Sequence, residues 1–470
     1  MKKTIILMCL VAGLLSCAKP AGEIPADTPI SFALNVGETK ADYDTWMNGD
    51  VIHVFFDGIG GKYVSMEFDG TDWKVIPFGE FTKGDFDALE SHVLSAVYFP
   101  VPVDVAYADD RFFFTHDGEK VFGYYLHEQF SYSTADSTVT AWMPIKKKQA
   151  EFVLFYMEGL RSDVEGYSLG CPLIRPVACT SVGKDGSIAE EMLQAGARLG
   201  GVVGSSGVVF AGRPVRPDEK ADYSFSLAGD YKIYSLKQED LALGYGAVHH
   251  LPALSKSGDG GWTVSEASDL YVDLGLNVLW AKRNVGADTE AEIGDFFSWG
   301  EVSGYNDGKR NFSESEYLFG AGDKLSRYTG KDYVTLLKED DAAYAALGGK
   351  FRIPTYAEWE ELMRNCEWEW KGNGYLVSGK KKGYTDRSIF LPATSFRMND
   401  ELVELYKVVG CYWSSSLYDK SNDYAWYANL QPDRKEFSTF FRRYGCAVRP
   451  VSGYLIHSIQ DYVQHDYSEK

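Results

Sequence analysis

This chain lacks several features that mark common enzymes and membrane proteins. After its first 16 residues it has no run of about 18 apolar residues, so no further membrane-spanning helix is expected. It has no Cys-x-x-Cys pair and no Cys/His cluster with the spacing of a metal site. No histidine lies between His250 and His457, which excludes a histidine-based hydrolytic triad from that stretch.

Positive charge is also scarce. The 47 lysines and arginines are outnumbered by 67 aspartates and glutamates, which leaves a net charge of −20. A surface of this sign repels phosphate backbones and anionic lipid headgroups. The composition therefore disfavours nucleic acid as a partner and favours solubility outside the cell.

Cysteines are few, and their number is odd. Apart from two near the N-terminus, the chain contains Cys171, Cys179, Cys366, Cys411 and Cys446. Five thiols cannot all pair. Cys171 and Cys179 could form a disulfide in an exported protein, or both could remain free thiols.

The N-terminus has the pattern of a secretory signal. A positively charged start is followed by an apolar run at residues 4–15 that is too short to span a bilayer. Leu14-Leu15-Ser16-Cys17 resembles a bacterial lipobox, in which Cys17 becomes the lipid-carrying N-terminus. We therefore expect a signal peptide at residues 1–16, lipid attachment at Cys17, a tether at residues 17–28 and location at the cell outer membrane. Several acyl chains anchor a protein firmly, whereas one alone does not.

Two successive regions, residues 29–145 and 146–262, show the patterns that are typical of β-strands. Apolar and polar residues alternate, and turn residues recur between the segments. The predicted strands include residues 30–34, 51–56, 93–99 and 152–157. This arrangement predicts two β-sandwiches, separated from the rest of the chain by a glycine-rich linker at residues 257–261.

One block near the C-terminus predicts a well-defined helix after the turn that begins at Arg352. Thr355 followed by Glu358 forms the pattern of a capping box. Apolar residues then recur with helical spacing at Trp359, Leu362, Met363 and Cys366. These residues describe a structural motif, with one apolar helix face directed inwards, rather than catalytic chemistry.

The block is one of a series of motifs spread over residues 269–453. In chain order they include Tyr271-Val272-Asp273, Gly294-Asp295-Phe296, Phe390-Leu391-Pro392, Tyr412-Trp413-Ser414 and Gly445-Cys446-Ala447. This series resembles the Fibrobacter succinogenes major paralogous domain, a bacterial surface module similar to C-type lectins and to the formylglycine-generating enzyme. The resemblance implies an α+β C-type-lectin-like domain, followed by a C-terminal tail at residues 454–470.

The N-terminal half carries a second, looser resemblance. Two β-sandwiches behind a lipobox, with the turn Trp46-Met47-Asn48-Gly49-Asp50 and a hairpin around Asp69-Gly70, resemble the fimbrillin-like surface lipoproteins of Bacteroidetes. The predicted fold is therefore a mainly β N-terminal half of two fimbrillin-like β-sandwiches, at residues 29–145 and 146–262, followed by the α+β domain at residues 269–453.

Relatives of the formylglycine-generating type act through cysteines and bound metal, which raises the question of an enzyme. Cys411 and Cys446 fall in the corresponding region, but neither has the sequence context of that family. Core packing is the favoured interpretation for both. Asp340 and Asp341 precede an alanine-rich segment, and helix capping is favoured over calcium binding. The prediction assigns no catalytic residue, no metal ligand and no cofactor.

Recognition by surface side chains remains. Two stretches, residues 371–387 and 418–427, combine aromatic residues with amides or charges, a composition typical of sugar and protein contacts. The candidate ligand-binding residues are Tyr375, Tyr384, Tyr418, Asn422, Tyr424 and Trp426. For Trp426 a core position is favoured, because it shares a strand face with Ala428 and Leu430. Tyr418 and Tyr424, at the rim of a loop, are the stronger candidates.

Together these patterns predict a non-enzymatic, lipid-anchored surface protein for adhesion or recognition, as an accessory or tip component of fimbriae. One alternative is a lipoprotein that captures glycans for carbohydrate uptake. A weaker one is an enzyme of the formylglycine-generating type. The expected partners are the outer membrane, a host or bacterial surface glycan or protein, and fimbrial subunits.

The fimbrillin resemblance also bears on assembly. It implies stalk subunits that mature when an Arg-specific protease removes an N-terminal strand and opens a groove for a neighbour's strand. The first arginine of this chain is Arg111, deep inside the first predicted sandwich. Cleavage there would remove several strands and their core. We therefore expect a monomer, or a subunit at one end of a fibre, and no stalk.

Overall fold

The structure is a computed structural model. It describes residues 24–37, 46–118, 120–123, 125–145, 152–158, 166–200, 202–204, 207–254, 261–306, 310–330, 334–403 and 409–453. The predicted signal peptide, the lipid-attachment residue Cys17 and the predicted C-terminal tail lie outside the described residues. Within these ranges, no helix is long and apolar enough to cross a membrane.

The described chain consists mainly of β-strands, as the alternating sequence patterns predict. Its α-helices are α1 (Lys83–Asp87), α2 (Ala342–Leu347) and α3 (Tyr356–Asn365). The first strands are β1 Ser31–Val36, β2 Val51–Phe56, β3 Tyr63–Phe68, β4 Trp73–Phe78, β5 Val93–Phe99, β6 Asp104–Ala108, β7 Arg111–Thr115, β8 Leu126–Ala135 and β9 Thr138–Met143.

Twelve strands follow among the described residues of the second predicted region and its border. They are β10 Val153–Glu158, β11 Ser168–Gly170, β12 Ile174–Arg175, β13 Val177–Gly183, β14 Ile188–Met192, β15 Leu199–Gly200, β16 Val202–Gly204, β17 Gly207–Pro214, β18 Lys220–Ala228, β19 Lys232–Ala242, β20 Val248–Leu251 and β21 Thr263–Glu266.

The C-terminal strands are shorter and lie around α2 and α3. They are β22 Tyr271–Val272, β23 Leu279–Ala281, β24 Phe296–Phe297, β25 Phe351–Arg352, β26 Cys366–Trp370, β27 Gly374–Gly379, β28 Ser388–Pro392, β29 Phe396–Met398, β30 Glu401–Val403, β31 Gly410–Leu417, β32 Tyr424–Gln431, β33 Arg434–Phe441, β34 Cys446–Ala447 and β35 Val451–Ser452.

The first core lies between two sheets. One has the order β1-β9-β8-β5-β2-β3-β4, and β1 and β9 run parallel at its edge. The other has the order β14-β13-β7-β6, so it joins strands from both sides of residue 145. The core likewise includes Phe152, Val177 and Val182. The two predicted sandwiches are therefore connected by a shared sheet and a shared core.

The second core is enclosed by two further sheets. Strands β12-β17-β10-β20, with β16 on β17, form one, and strands β15-β11-β18-β19-β21 form the other. Phe155, Phe210, Phe225 and Trp262 fill the space between them. Since β21 pairs with β19, residues 263–266 belong to this sheet.

The C-terminal region is organised around a sheet of order β24-β34-β31-β32-β33. Its two faces support separate cores, because adjacent residues of β31 point to opposite sides. Trp413 lies in one core, while Tyr412 packs with Trp359 and Leu362 of α3 in the other. Smaller sheets β22-β23-β35-β25 and β26-β27-β28 and the pair β29-β30 complete the region.

A contact area that we call the joint holds the second sandwich against α2. The amide of Gln194 donates to the carbonyl of Gly300 at 2.7 Å and to Oδ1 of Asp340 at 2.9 Å. Buried Arg198 donates to the carbonyl of Ala345 at 2.7 Å, near the end of α2. Gly349 lies so close to the carbonyl of Gly229 that an added Cβ would be 2.6 Å from that oxygen. The joint is thus closely packed and hydrogen-bonded on both sides.

Candidate recognition surface

The candidate surface begins on the hairpin of β32 and β33. Tyr424 and Trp426 lie on the same face of β32, where they oppose Phe441 and Thr439. Further along that face, Ala428 and Leu430 are buried beneath α3 and its neighbours. Trp426 itself is only half-buried. It therefore lies at the boundary where a core-facing row of side chains emerges into solvent.

Four half-buried rings form a continuous row, which we call the aromatic strip: Tyr418, Trp426, Tyr356 and Phe437. The ring centroids of Tyr418 and Trp426 are 5.1 Å apart, and the rings are perpendicular. Trp426 and Tyr356 are 4.9 Å apart, and Tyr356 and Phe437 are 4.2 Å apart. Such contacts hold aromatic rings in a fixed mutual orientation.

The predicted capping box positions Tyr356 at the start of α3. The Thr355 side chain accepts from the backbone N–H of Glu358, whose carboxylate accepts from the backbone N–H of Thr355 at 2.8 Å. The guanidinium of Arg352 forms a bidentate ion pair with the same buried Glu358 carboxylate. Trp359 is fully buried. The helix begins where the sequence predicts, and Tyr356 is directed outwards from a rigid support.

The loop that carries Tyr418 is held by hydrogen bonds to distant segments. The backbone N–H of Tyr418 donates to the carbonyl of Tyr424 at 3.1 Å. Asn422 donates through its amide to the carbonyl of Thr329, and Oδ1 of Asp423 accepts from the backbone N–H of Gly322 at 2.7 Å. Asn422 therefore has a structural role here, which differs from the predicted ligand contact.

The remaining predicted residues are dispersed. Tyr424 packs against Phe441 with ring centroids 4.3 Å apart, on the strand that also carries Trp426 of the strip. Tyr375 is only 4% exposed, and its hydroxyl donates to the carbonyl of Gln431 at 2.6 Å. It belongs to the core, because it lies on the inward face of β27 rather than in a loop. Tyr384 lies in another turn, where it packs over Gly275.

Polar groups border the strip. Asp419 and Lys420 are exposed at the tip of the loop, and Glu360 pairs with Arg364 on the next turn of α3. Burial, and secondarily the charge of Glu360, raises the pKa of Tyr356. Its hydroxyl therefore stays protonated near neutral pH and can donate a hydrogen bond to a ligand.

All five cysteines in the described residues are buried free thiols. Burial raises the pKa of Cys171, Cys179, Cys366 and Cys411 to about 12, and that of Cys446 also lies well above the usual value. A thiol reacts as the thiolate, so these groups are poorly suited to nucleophilic or redox chemistry. Cys171 and Cys179, for which the sequence leaves a disulfide open, are not bonded to each other.

The interpretation of the paired aspartates as caps is confirmed for Asp341. Its carboxylate accepts from the backbone N–H groups of Ala343 and Tyr344 at the start of α2. Asp340 instead accepts from Gln194 across the joint.

Sequence reasoning missed two members of the strip, Tyr356 and Phe437. Phe437 could have been found, because Pro432-Asp433 is a turn signal and pairing β32 with β33 places Phe437 opposite Ala428. Tyr356 follows the N-cap Thr355 directly and is on the outer face of the predicted helix. Only the packing between helix and hairpin, which a local pattern does not reveal, brings the two together.

Comparisons with known proteins give distant structural similarity alone. A candidate cell adhesion protein of Bacteroides ovatus is 13% identical, with a TM-score of 0.28, over 52% of this chain and 97% of its own. A second one, from Bacteroides fragilis, is 11% identical, with a TM-score of 0.25, over 51% of this chain and 96% of its own. These values are too low to transfer a function.

No protein-family model matches the chain, and no curated protein matches it either. The resemblance of residues 269–453 to the Fibrobacter module and that of the N-terminal half to fimbrillins therefore stay predictions.

Proposed function

We propose that this chain is a non-enzymatic cell-surface adhesion protein whose aromatic strip contacts a surface glycan or protein. The single observation that supports this most is the aromatic strip itself, a row of four half-buried rings in mutual contact. The strip lies on a hairpin and a helix start that are both held by hydrogen bonds. Aromatic rings that are already ordered lose little entropy on binding, and they contact both sugar faces and protein side chains.

The strip fits recognition better than catalysis. Beside Tyr356, Glu360 and Arg364 are paired with each other, and the thiols of Cys411 and Cys446 are buried with raised pKa values. The expected lipid anchor at Cys17 would hold such a protein at the outer membrane, with the sandwiches as spacers. Membership of a fimbria, at its tip or as an accessory subunit, remains part of the proposal.

A glycan and host-protein binding array with the soluble fragment of residues 18–470 is the direct test. Trp426→Ala and Tyr418→Ala should each lower binding to any positive ligand by about tenfold or more, since stacked aromatic contacts of bound groups contribute roughly 1–2 kcal/mol. The matched control is Trp142→Ala, because Trp142 is 61% exposed on β9 of the first sandwich. An equal loss in the control, or full binding by both strip variants, would refute the assignment.

The same array separates adhesion from the glycan-capture alternative. In a cell-attachment assay run beside the array, attachment of the parent protein that is lost in both strip variants would favour adhesion. Binding of short soluble oligosaccharides alone, without attachment to cells, would favour uptake. Detergent partitioning of Cys17→Ser, with mass spectrometry of the N-terminal peptide, tests the anchor.

Assembly can be tested with an Arg-specific protease. Arg111 is the first residue of β7, and its guanidinium donates to Ser181 Oγ at 2.7 Å on the neighbouring β13. Cleavage there would divide a sheet that contributes to the first core. We expect no filaments after digestion, by light scattering and electron microscopy, and regular filaments of this subunit alone would contradict the assignment to a fibre end.

A further inference from the structure

A cavity of about 340 Å³ lies away from the aromatic strip, among the turn before α2, α2 itself, β25 and β31. Its apolar walls include Leu336, Phe351 and Ile353, all of which are less than 10% exposed. Tyr344 and Lys338 also belong to the lining. We call this cavity the Lys338 pocket. Its size is at the lower end of the range for small-molecule sites.

The charge of Lys338 is not matched by a carboxylate in the described part of the chain. Its ammonium lies 4.4 Å from the centroid of the Tyr344 ring, a cation–π contact that leaves hydrogen-bonding capacity free. The other two cations of the lining are paired: Lys350 lies 3.4 Å from Asp230, and Arg352 binds Glu358. Lys338 is therefore the group available to an incoming anion.

The one carboxylate of the lining, Asp341, is already occupied. It accepts from the backbone N–H groups of Ala343, Tyr344 and Ile353. Elsewhere the net charge of −20 repels anions. A free ammonium beside an apolar cavity is thus a local exception to the charge of the whole molecule.

A second polar group lines the same cavity. Ser415 is 1% exposed, and its hydroxyl has no hydrogen-bond partner among the described residues. A buried hydroxyl without a partner is costly, so such groups often mark the place of a ligand or water. The Ser415 hydroxyl has a proton to donate to a carboxylate oxygen, and the side chains of Leu336, Phe351 and Ile353 offer no competing acceptor.

We propose that the Lys338 pocket binds a small carboxylate with an aliphatic or aromatic body. The body fills the space between Leu336, Phe351 and Ile353, and the carboxylate pairs with Lys338 and accepts from Ser415. A charge-assisted hydrogen bond is stronger than a neutral one, so the acid is preferred to an alcohol of the same length.

Calorimetric titration of the soluble fragment of residues 18–470 with hexanoate tests the proposal, with phenylacetate as the aromatic probe and hexanol as the neutral one. Hexanoate should bind about tenfold more tightly than hexanol, which is the effect of one charge-assisted contact. Lys338→Met should abolish that preference. Equal affinities of hexanoate and hexanol for the parent protein would overturn the assignment.

Two matched variants localise the effect. Lys350→Met removes a cation of the same lining that is already paired, and it should leave hexanoate affinity within about twofold. Ser415→Ala should weaken hexanoate, and Trp426→Ala in the aromatic strip should leave it unchanged. Lys338 and Lys350 are exposed, so neither substitution threatens the fold. Equal losses in Lys338→Met and Lys350→Met would contradict the role of Lys338.

Discussion

The first sandwich and the C-terminal domain reach stable cores by different means. The first core is filled with aliphatic and aromatic side chains, and the polar groups it buries are uncharged, as in His53, Ser65 and Ser95. The C-terminal domain buries the carboxylates of Asp341 and Glu358 and the guanidinium groups of Arg442 and Arg449. The comparison shows that the first core relies on hydrophobic burial, whereas the C-terminal region adds to its apolar cores buried charged groups that need specific polar partners.

Arg442 illustrates the second strategy. Its guanidinium is 1% exposed and donates to Tyr317 Oη at 2.9 Å and to the backbone carbonyls of Asn422, Tyr328 and Arg327. The rings of Trp299 and Tyr317 lie within 5.4 Å of it. Carbonyls that lose this donor would remain buried without a partner.

Arg442→Leu is one of the two variants with the largest expected effect, at about 3–5 kcal/mol of unfolding free energy, because several buried acceptors lose their donor at once. Arg443→Leu is the matched control, because that neighbour is 19% exposed and stacks on the ring of Phe441. Urea denaturation followed by tryptophan fluorescence measures both. If the two variants have the same midpoint, the C-terminal domain does not depend on its buried guanidinium in the way described.

Trp359→Ala should cost about 3–5 kcal/mol, because a fully buried ring leaves a large cavity. The ring packs 4.8 Å from Trp280 and 5.7 Å from Tyr412, and its N–H donates to the carbonyl of Trp413 at 3.2 Å. Phe55→Ala in the first core, 4.5 Å from Phe112, provides the comparison between the halves. A loss below about 1 kcal/mol for Trp359→Ala would show that the inner face of α3 is misassigned.

Acid should weaken the first sandwich. Burial lowers the pKa of His53 to about 4, from 6.5 in the unfolded chain, and burial has the same effect on His127. Between these values the unfolded state binds a proton that the folded state excludes, so the free energy of unfolding falls as pH falls. Full stability is present above pH 6.5, and His53 should account for a loss of about 2–3 kcal/mol by pH 4.

His53→Gln should remove part of this pH dependence in urea titrations at pH 7 and 4.5. His116→Gln, which changes a half-exposed histidine, is the control. The stretch from 251 to 456 contains no histidine, so its fluorescence-detected unfolding should not show this loss. An unchanged pH dependence in His53→Gln would contradict the role of its burial.

The smallest effect is expected for Thr355→Ala, at about 1 kcal/mol, because one N-cap hydrogen bond is lost. Thr355→Ser keeps the oxygen and should be near the parent value. Thr140→Ala, at an exposed position of β9, supplies the control in the first sandwich. Thermal melts of the three variants rank them, and identical losses at Thr355 and Thr140 would mean that the cap contributes nothing.

The parts of the fold that the sequence predicts are those whose signals are local in the chain. Strands β2 and β5 have the predicted bounds, because alternation and turn residues are local signals. Helix α3 starts where its capping box indicates. The pairing of β7 with β13 was not predicted, since contacts between strands far apart in the chain leave no local pattern.

The candidate site was predicted in part. Tyr418 and Trp426 lie together in the strip, whereas Tyr375 was wrongly interpreted as a loop residue. Its alternation with Val377, also buried, indicated a strand and was the better signal. Asn422 is of a residue type that is common in ligand contacts, but its side-chain amide donates to the carbonyl of Thr329. No sequence pattern indicates that Gln194 would bind across to Asp340.

Under the proposed function, with a lipid anchor at the N-terminus and a ligand at the aromatic strip, the joint has a mechanical consequence. Between β21, which ends at Glu266 in the second sandwich, and β22, which starts at Tyr271, the chain has only four residues. Gln194 and Arg198 bridge the same border. A force applied at the aromatic strip is therefore transmitted directly to the sandwiches. Under flow, the C-terminal region and the sandwiches would rotate together as one rigid unit, without bending at the border between them.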